Sequence, residues 1–404
     1  MSSGYLCELG IRLRSLAIFR SLLDDPVISS LCAFLEAAGS GDKTSCVSSY
    51  AAFVSALYGT EKRTLAGYIQ SIVNNDENAY IRMIGRGAEP WPEMEADVWE
   101  ELNILQEVAD LTPDKLREGL DWNGYLPKFA VKPLEIAESY RERCGNIGRF
   151  GYGIYAKYHM FYLNPDARIV PVKNPDRTRL ESLIDYKREQ QIILDNTMAL
   201  LEGKPAANIL LTGDAGTGKS STVKAVVNEL WEKGLRILEV RKEQLHQIPE
   251  ILDELNANPL KFILFIDDLS FQKDDDNFSA LKAILEGSVS ARAQNVVIYA
   301  TSNRRHLVKE TFSDREGNDI HRNDTMQEII SLSERFGIQI TFQKPNKQTY
   351  LEIVHHLAQQ RGIQMDQAEL DMLAERFILS RGGRSARAAK QFVDSLSIRS
   401  GEVT

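Results

Sequence analysis

Three stretches predict an α/β fold, a parallel sheet with flanking helices set between an N-terminal mainly helical domain and a C-terminal helical lid. "NILLT" (208–212) runs straight into the glycine bend "GDAGTGKS" (213–220) and then the amphipathic "STVKAVVNELWEKG" (221–234). "KFILFIDDLSF" (261–271) is a second apolar run, ending in two acids, and "NVVIYATSN" (295–303) is a third, ending in a polar tip. Short apolar runs that alternate with helical patterns signal buried parallel strands joined by crossover helices.

The chain has 404 residues, enough for two or three separate cores. Residues 1–145 carry apolar side chains three and four apart, as in "YLCELGIRLRSLAIFRSLL" and "WPEMEADVWEELNILQEVADL", and "TPDKLREGL" opens with a helix-start signal. A helical domain is expected there. Residues 146–179 include "RFGYGIYAKYHMFYLNPDARIVPVKNPD" (149–176), whose aromatic and β-branched content and Asn-Pro pairs predict a hairpin leading into a connector. The α/β core is expected over 180–344. From 345 to 404 only helical signatures remain, each ending at or near Gly.

A content of 43% hydrophobic and 26% charged residues excludes a disordered or fibrous chain. Net charge of -9 argues against broad attraction to nucleic acid or anionic membrane. Cys7, Cys32, Cys46 and Cys144 are far apart and form no CxxC pair, so neither a zinc site nor a disulfide framework is suggested. The N-terminus lacks the order of a secretory signal and no run reaches the ~18 apolar residues of a membrane span, so a cytoplasmic protein is expected.

In the bend, Gly213, Gly216 and Gly218 permit positive φ, so that successive N–H groups turn inward around a phosphate. The helix that starts near Lys219 aims its positive end at the same point. Gly213, Asp214, Ala215, Gly216, Thr217, Gly218, Lys219, Ser220 and Ser221 are the candidate phosphate cradle. Lys219 would reach the β- and γ-phosphates, and the Ser220 hydroxyl would ligate Mg²⁺. Asp267 at the end of the second strand would hold the same Mg²⁺ through water, and Asp268 is placed to orient or deprotonate an attacking water. Asn303, at the tip of the third strand, is a candidate contact for the γ-phosphate or that water. Arg335 in "SLSERFG" precedes another expected strand, "IQITF", and could reach the γ-phosphate of a neighbouring subunit. "SRGGRSARAAKQF" (380–392) puts Arg384 and Arg387 at a helix start, where the dipole disfavours a cation unless an anion sits nearby. The sequence does not separate the two; spacing from Gly382 and Gly383 favours Arg384.

Taken in order, these motifs resemble the AAA+ ATPase superfamily: Walker A at 213–220, Walker B at 262–268, sensor 1 at Asn303, an arginine finger at Arg335 and sensor 2 in a helical lid. "YATSNRRHL", "FSDREGNDIHRNDTMQE" and "GYGIYAKYHMF" look more narrowly like the bacterial DUF815 family, a resemblance extending back to about residue 145. It implies ATP and Mg²⁺ as ligands and an adenine-contacting stretch at "LIDYKREQQIILDNT" (183–197), with Ile184, Asp185 and Tyr186 flanking the base; the same residues would equally suit a core helix. Two departures from the superfamily matter. Asp268 stands where many members have Glu, a form similar to that of replication initiators and helicase loaders. And 239–259 lacks the aromatic-apolar-Gly loop of protein-threading members, which argues against an unfoldase.

The implied function is hydrolysis of ATP in an oligomer with shared sites, coupled to remodelling of a protein partner through the N-terminal domain. A slow nucleotide-gated binding module is the alternative, as is an initiator-like factor acting on nucleic-acid machinery; nucleic acid is not favoured, and a membrane is not expected. A small-molecule phosphotransferase is weaker, since no acceptor-binding motif stands out. The charged insertion 308–331 suggests an interface element around His321, Arg322 and Asp324, or a solvated loop.

Overall fold

The computed structural model describes residues 3–40, 42–120, 122–270, 276–286, 294–303, 334–379 and 383–401. The chain divides into two compact units, Met1–Lys157 and Tyr158–Thr404.

The first unit is helical: α1 (Ser3–Arg14), α2 (Pro26–Ser40), α3 (Lys43–Tyr58), α4 (Leu65–Asn75), α5 (Ala79–Gly85), α6 (Pro92–Ala109), α7 (Pro113–Leu120), α8 (Ile136–Gly145), and the single turns α9 (Ile147–Phe150) and α10 (Ile154–Lys157). Side-chain caps set several starts. Asp42 accepts from Thr44 N–H, Thr64 from Gly67 N–H and Asn78 from Ile81 N–H, each satisfying a donor that the first turn leaves open. Leu9, Phe34, Phe53, Leu102 and Leu105 are fully or almost fully buried in the shared core. One charge is buried with them. Glu101 is 7% exposed, and its carboxylate accepts from the backbone N–H groups of Ala17 (2.6 Å) and Phe19 (2.9 Å) and from that of Ile18 between them. Three donors around one carboxylate offset its desolvation and fix the bend after α1.

The second unit is built on a sheet in the order β2-β1-β4-β5-β6-β3-β7, with β1 Met160–Leu163, β2 Ile169–Pro171, β3 Ile209–Gly213, β4 Leu235–Val240, β5 Lys261–Ile266, β6 Val296–Ser302 and β7 Ile338–Phe342. Only β1 with β2 is antiparallel; the other pairs are parallel. Around it lie α11 (Lys187–Leu201), α12 (Lys219–Leu230), α13 (Ile248–Asn256) and α14 (Asp276–Glu286). β5 and β6 are buried along almost their whole length, as their unbroken apolar runs require. α15 (Lys347–Gln360), α16 (Gln367–Leu379) and α17 (Ala386–Gly401) pack on their own cluster around Tyr350, Val354, Ala389 and Val393. This is an α/β P-loop fold, a mostly parallel sheet with flanking helices, with further helices at both ends of the chain. No helix among the described residues is long and apolar enough to cross a membrane.

The stretch 149–176 differs from the expected hairpin and connector. Its first part is helical, broken at Gly151 (φ 65°) and Gly153 (φ 61°), and the division between units falls at Lys157, inside the expected connector. The hairpin itself is shorter. Asn164 Oδ1 accepts from the N–H groups of Asp166 and Arg168 to turn it, and β1 then pairs in parallel with β4, so the hairpin extends the sheet.

Candidate functional site

Parallel register decides which residues meet. β3 pairs Thr212 with Ser302 of β6, and β5 pairs Ile266 with Ala300 of β6. The residues that follow, Gly213, Asp267 and Asn303, therefore emerge at one carboxyl edge, where α/β sheets bind ligands. Gly213 lies so close to the neighbouring strand that a Cβ would sit 2.1 Å from the Phe342 carbonyl oxygen. Gly216 has φ 82°, and a Cβ there would meet Arg387 Cβ at 3.0 Å; Arg387 N–H also donates to the Gly216 carbonyl at 3.2 Å. The start of α17 thus rests directly on the bend.

One network joins the polar residues of this edge. Lys219 Nζ donates to the carbonyls of Gly213 (2.8 Å) and Asp214 (2.9 Å) and to Asn303 Oδ1 (2.9 Å). Asn303 Nδ2 in turn donates to Asp268 Oδ1 at 2.6 Å. Ser220 Oγ donates to Asp267 Oδ1 at 2.7 Å. Burial holds the Lys219 ammonium below its ordinary pKa, partly offset by Asp267, Asp214 and Asp268. An ammonium held this way gains from an anion placed within its reach.

Thr301, which the sequence reading passed over, ties the two acids together. Its hydroxyl donates to Asp267 Oδ1 (2.5 Å) and accepts from Asp268 N–H (2.9 Å), holding Asp268 at φ 55°. The residue is 2% exposed inside an apolar strand. Its burial and its register beside the end of β5, which mark it, appear only in the structure.

The network opens on a cleft of about 1030 Å³ lined by Ala215 to Thr222, Asp267, Asp268, Thr301 and Asn303. Ile184, Asp185 and Tyr186 also line it, as do Ile353, Leu357 and Val393, and Ile184 packs against the cluster that holds Ile353 and Val393. Tyr186 stands at φ 66°, its ring 4.7 Å from that of Phe342 and its hydroxyl donating to the Gln343 carbonyl. Thr217 Oγ1 donates to the Asp214 carbonyl at 2.9 Å, and the Asp214 carboxylate lies 3.5 Å from Lys344 Nζ.

One arginine falls elsewhere than expected. Arg384 makes a two-pronged pair with Glu375 (3.1 and 2.7 Å), whereas Arg387 lines the cleft. The reason is the helix start: α17 begins at Ala386, and the next residue is the one whose backbone meets the bend. Arg335 precedes Ile338, which registers with Ile209 at the opposite end of β3 from the bend. It does not line its own cleft. Gly382, His321, Arg322 and Asp324 lie outside the described residues.

The pair Ser220 Oγ and Asp267 Oδ1 offers two oxygens at one point, suited to a hard cation that keeps most of its waters. Among the described residues no group of three or more His, Cys, Asp or Glu could hold a metal. Any cation here would complete its shell with water and oxygens of a bound ligand.

Solved structures with similar elements include the RuvB Holliday junction branch migration motor of Thermotoga maritima (18% identity, TM-score 0.36, 54% of this chain and 63% of that one). Others are the FIGL-1 AAA domain in complex with ADP (15%, 0.37, 56% and 74%) and a chain of the E. coli MS115-1 HORMA:CdnC:Trip13 complex (14%, 0.37, 55% and 93%). The match spans less than two thirds of RuvB. No curated protein matches the sequence significantly. Residues 156–400, more than half of the chain, match the family described as "Protein of unknown function (DUF815)", and the chain belongs to that family.

Proposed function

We propose that the cleft binds ATP with Mg²⁺ and hydrolyses it to ADP and phosphate, within an oligomer that couples nucleotide state to remodelling of a partner. The observation that carries this reading is the single network from Lys219 through Asn303 to Asp268, beside the Ser220–Asp267 pair. The inward N–H groups of 214–220 and the start of α12 hold the triphosphate. Lys219 exchanges its two carbonyl partners for phosphate oxygens. Ser220 and Asp267 would hold Mg²⁺, which would supply neutralisation of phosphate charge. Asp268 accepts a proton from the attacking water, Asn303 positions that water, and its oxygen bonds to the γ-phosphorus as the bond from that phosphorus to the bridging oxygen breaks, its electron pair leaving on ADP. Ile184 and Tyr186 flank the base. Arg387 takes the lid role that the sequence assigned to Arg384, and Arg335 serves the site of a neighbouring subunit.

A slow switch is the second reading, favoured by one feature: Asp268, shorter than Glu, is bound by Asn303 at 2.6 Å and must leave it to act. ATP turnover measured against protein concentration, with mass in parallel, separates the two. A motor shows specific activity rising with concentration and collapsing in Arg335→Ala, with ATP binding lost in Lys219→Ala. Monomers that bind ATP and scarcely turn it over, in wild type and Arg335→Ala alike, would sink the shared-site reading and leave the switch.

A further inference from the structure

We propose that the N-terminal unit carries a docking surface for single-stranded nucleic acid, formed by the segment between α7 and α8 and the end of α3. That segment, 122–135, contains no helix or strand apart from one bridge between Thr64 and Ala130. Structureless connections of this length are uncommon and tend to be functional. It is nevertheless firmly held. Leu126 and Phe129 are each 6% exposed, and the Phe129 ring stands edge-on to Phe53 at 5.8 Å. Four side chains from outside it donate to its carbonyls: Arg117 to Gly124, Tyr50 to Pro127, Tyr58 to Lys128 and Gln106 to Leu134.

What this anchoring turns outward is apolar. Tyr125 is 85% exposed, Tyr58 61%, Val131 55% and Trp122 39%, and Trp122 Nε1 donates to the Tyr125 carbonyl at 3.4 Å. Exposed rings are stacking platforms, and Tyr58, held by its hydroxyl, and Trp122, held by its Nε1, lose little freedom when a base covers them.

Charge selects the occupant. Lys62 and Arg63, beside Thr64, and Lys128 and Lys132, in the segment, are exposed, against Glu61 and Glu135 in the same two stretches. Four cations against two acids make this patch locally basic in a chain of net charge -9. An acidic peptide would satisfy the lysines but offers few flat faces for the rings. A single strand supplies phosphates and bases together.

The test is fluorescence anisotropy of a labelled oligothymidylate with the full chain, across a salt series. Binding should weaken with a log–log salt slope of about -1.4 to -2.8, two to four phosphates at roughly -0.7 each. Tyr125→Ala should cost about tenfold or more in affinity, the value of one stacked base. Lys128→Gln with Lys132→Gln should flatten the slope by about 1.4. Melting temperature and ATP turnover should stay at wild-type values in both variants. The proposal is overturned if no binding occurs at low salt, if these variants bind like wild type, or if Lys219→Ala abolishes binding, which would place the strand in the cleft. Competition by polyglutamate as effective as by unlabelled oligothymidylate would overturn it in favour of an acidic protein.

Discussion

Replacing Thr301 by Val removes one hydroxyl and leaves the shape of β6 intact. Two interactions go with it: donation to Asp267 Oδ1 at 2.5 Å and acceptance from Asp268 N–H at 2.9 Å. A hydrogen bond to a charged acceptor contributes about 1.5–3 kcal/mol, and a backbone donor left unpaired costs about 1–3 kcal/mol. Both carboxylates are exposed, so water recovers part of the loss, and about 2–3 kcal/mol is expected. For a unit of this size that lowers the melting temperature by roughly 4–12 °C. Thermal unfolding followed by circular dichroism measures it. The Mg²⁺ concentration for half-maximal ATP turnover should rise as well, because Asp267 loses the group that orients it, and Thr301→Ser should restore both values. A valine variant that melts with the wild type and needs no more Mg²⁺, or a serine variant as impaired as valine, would refute the reasoning.

Arg387→Ala should lower turnover about a hundredfold, the scale of losing one group aimed at developing charge, while Arg384→Ala leaves turnover nearly unchanged; steady-state rates compare them. Glu101→Gln puts an amide among three backbone donors and should destabilise the N-terminal unit by about 2–4 kcal/mol in urea unfolding, without altering nucleotide affinity of the folded chain. His159 is held below its ordinary pKa of 6.5, mainly by burial and also by Arg236, against a hydrogen bond to Asn228. The unfolded chain therefore takes up a proton near pH 6.5 that the folded chain accepts only at lower pH, so stability is full above 6.5 and declines as pH falls below it. In His159→Phe, which keeps a ring beside Trp231, that part of the pH slope should vanish from the urea midpoints.

What the sequence made legible follows from periodicity. Buried parallel strands read as apolar runs, so the strands leading to Gly213, Asp267 and Asn303 were visible, and so was the helix after the bend. Long-range pairing was not. β1 joins β4 across a separation that no local pattern encodes, and "GYGIYAK" looks strand-like by composition while its glycines bend it into helical turns. Thr301 was hidden because a single hydroxyl inside "VVIYATS" does not disturb a strand pattern. The choice between Arg384 and Arg387 turned on where α17 begins, and a shift of that start by a few residues exchanges the face that meets the bend. Glycine spacing could not fix it.

The hairpin beside β4 also bears on how the protein behaves in a crowded solution. Without it, "LRILEV" would be a sheet margin with a full row of unpaired backbone groups, a template onto which another chain could add. β1 covers that row, and β2, three residues long and ending in Pro171, is too short and too poor in donors to pass the invitation on. A chain trimmed to begin at the expected core boundary, residue 180, would keep the edge that carries the candidate site and lose this guard. Soluble yield, rather than chemistry, is where the truncation would show.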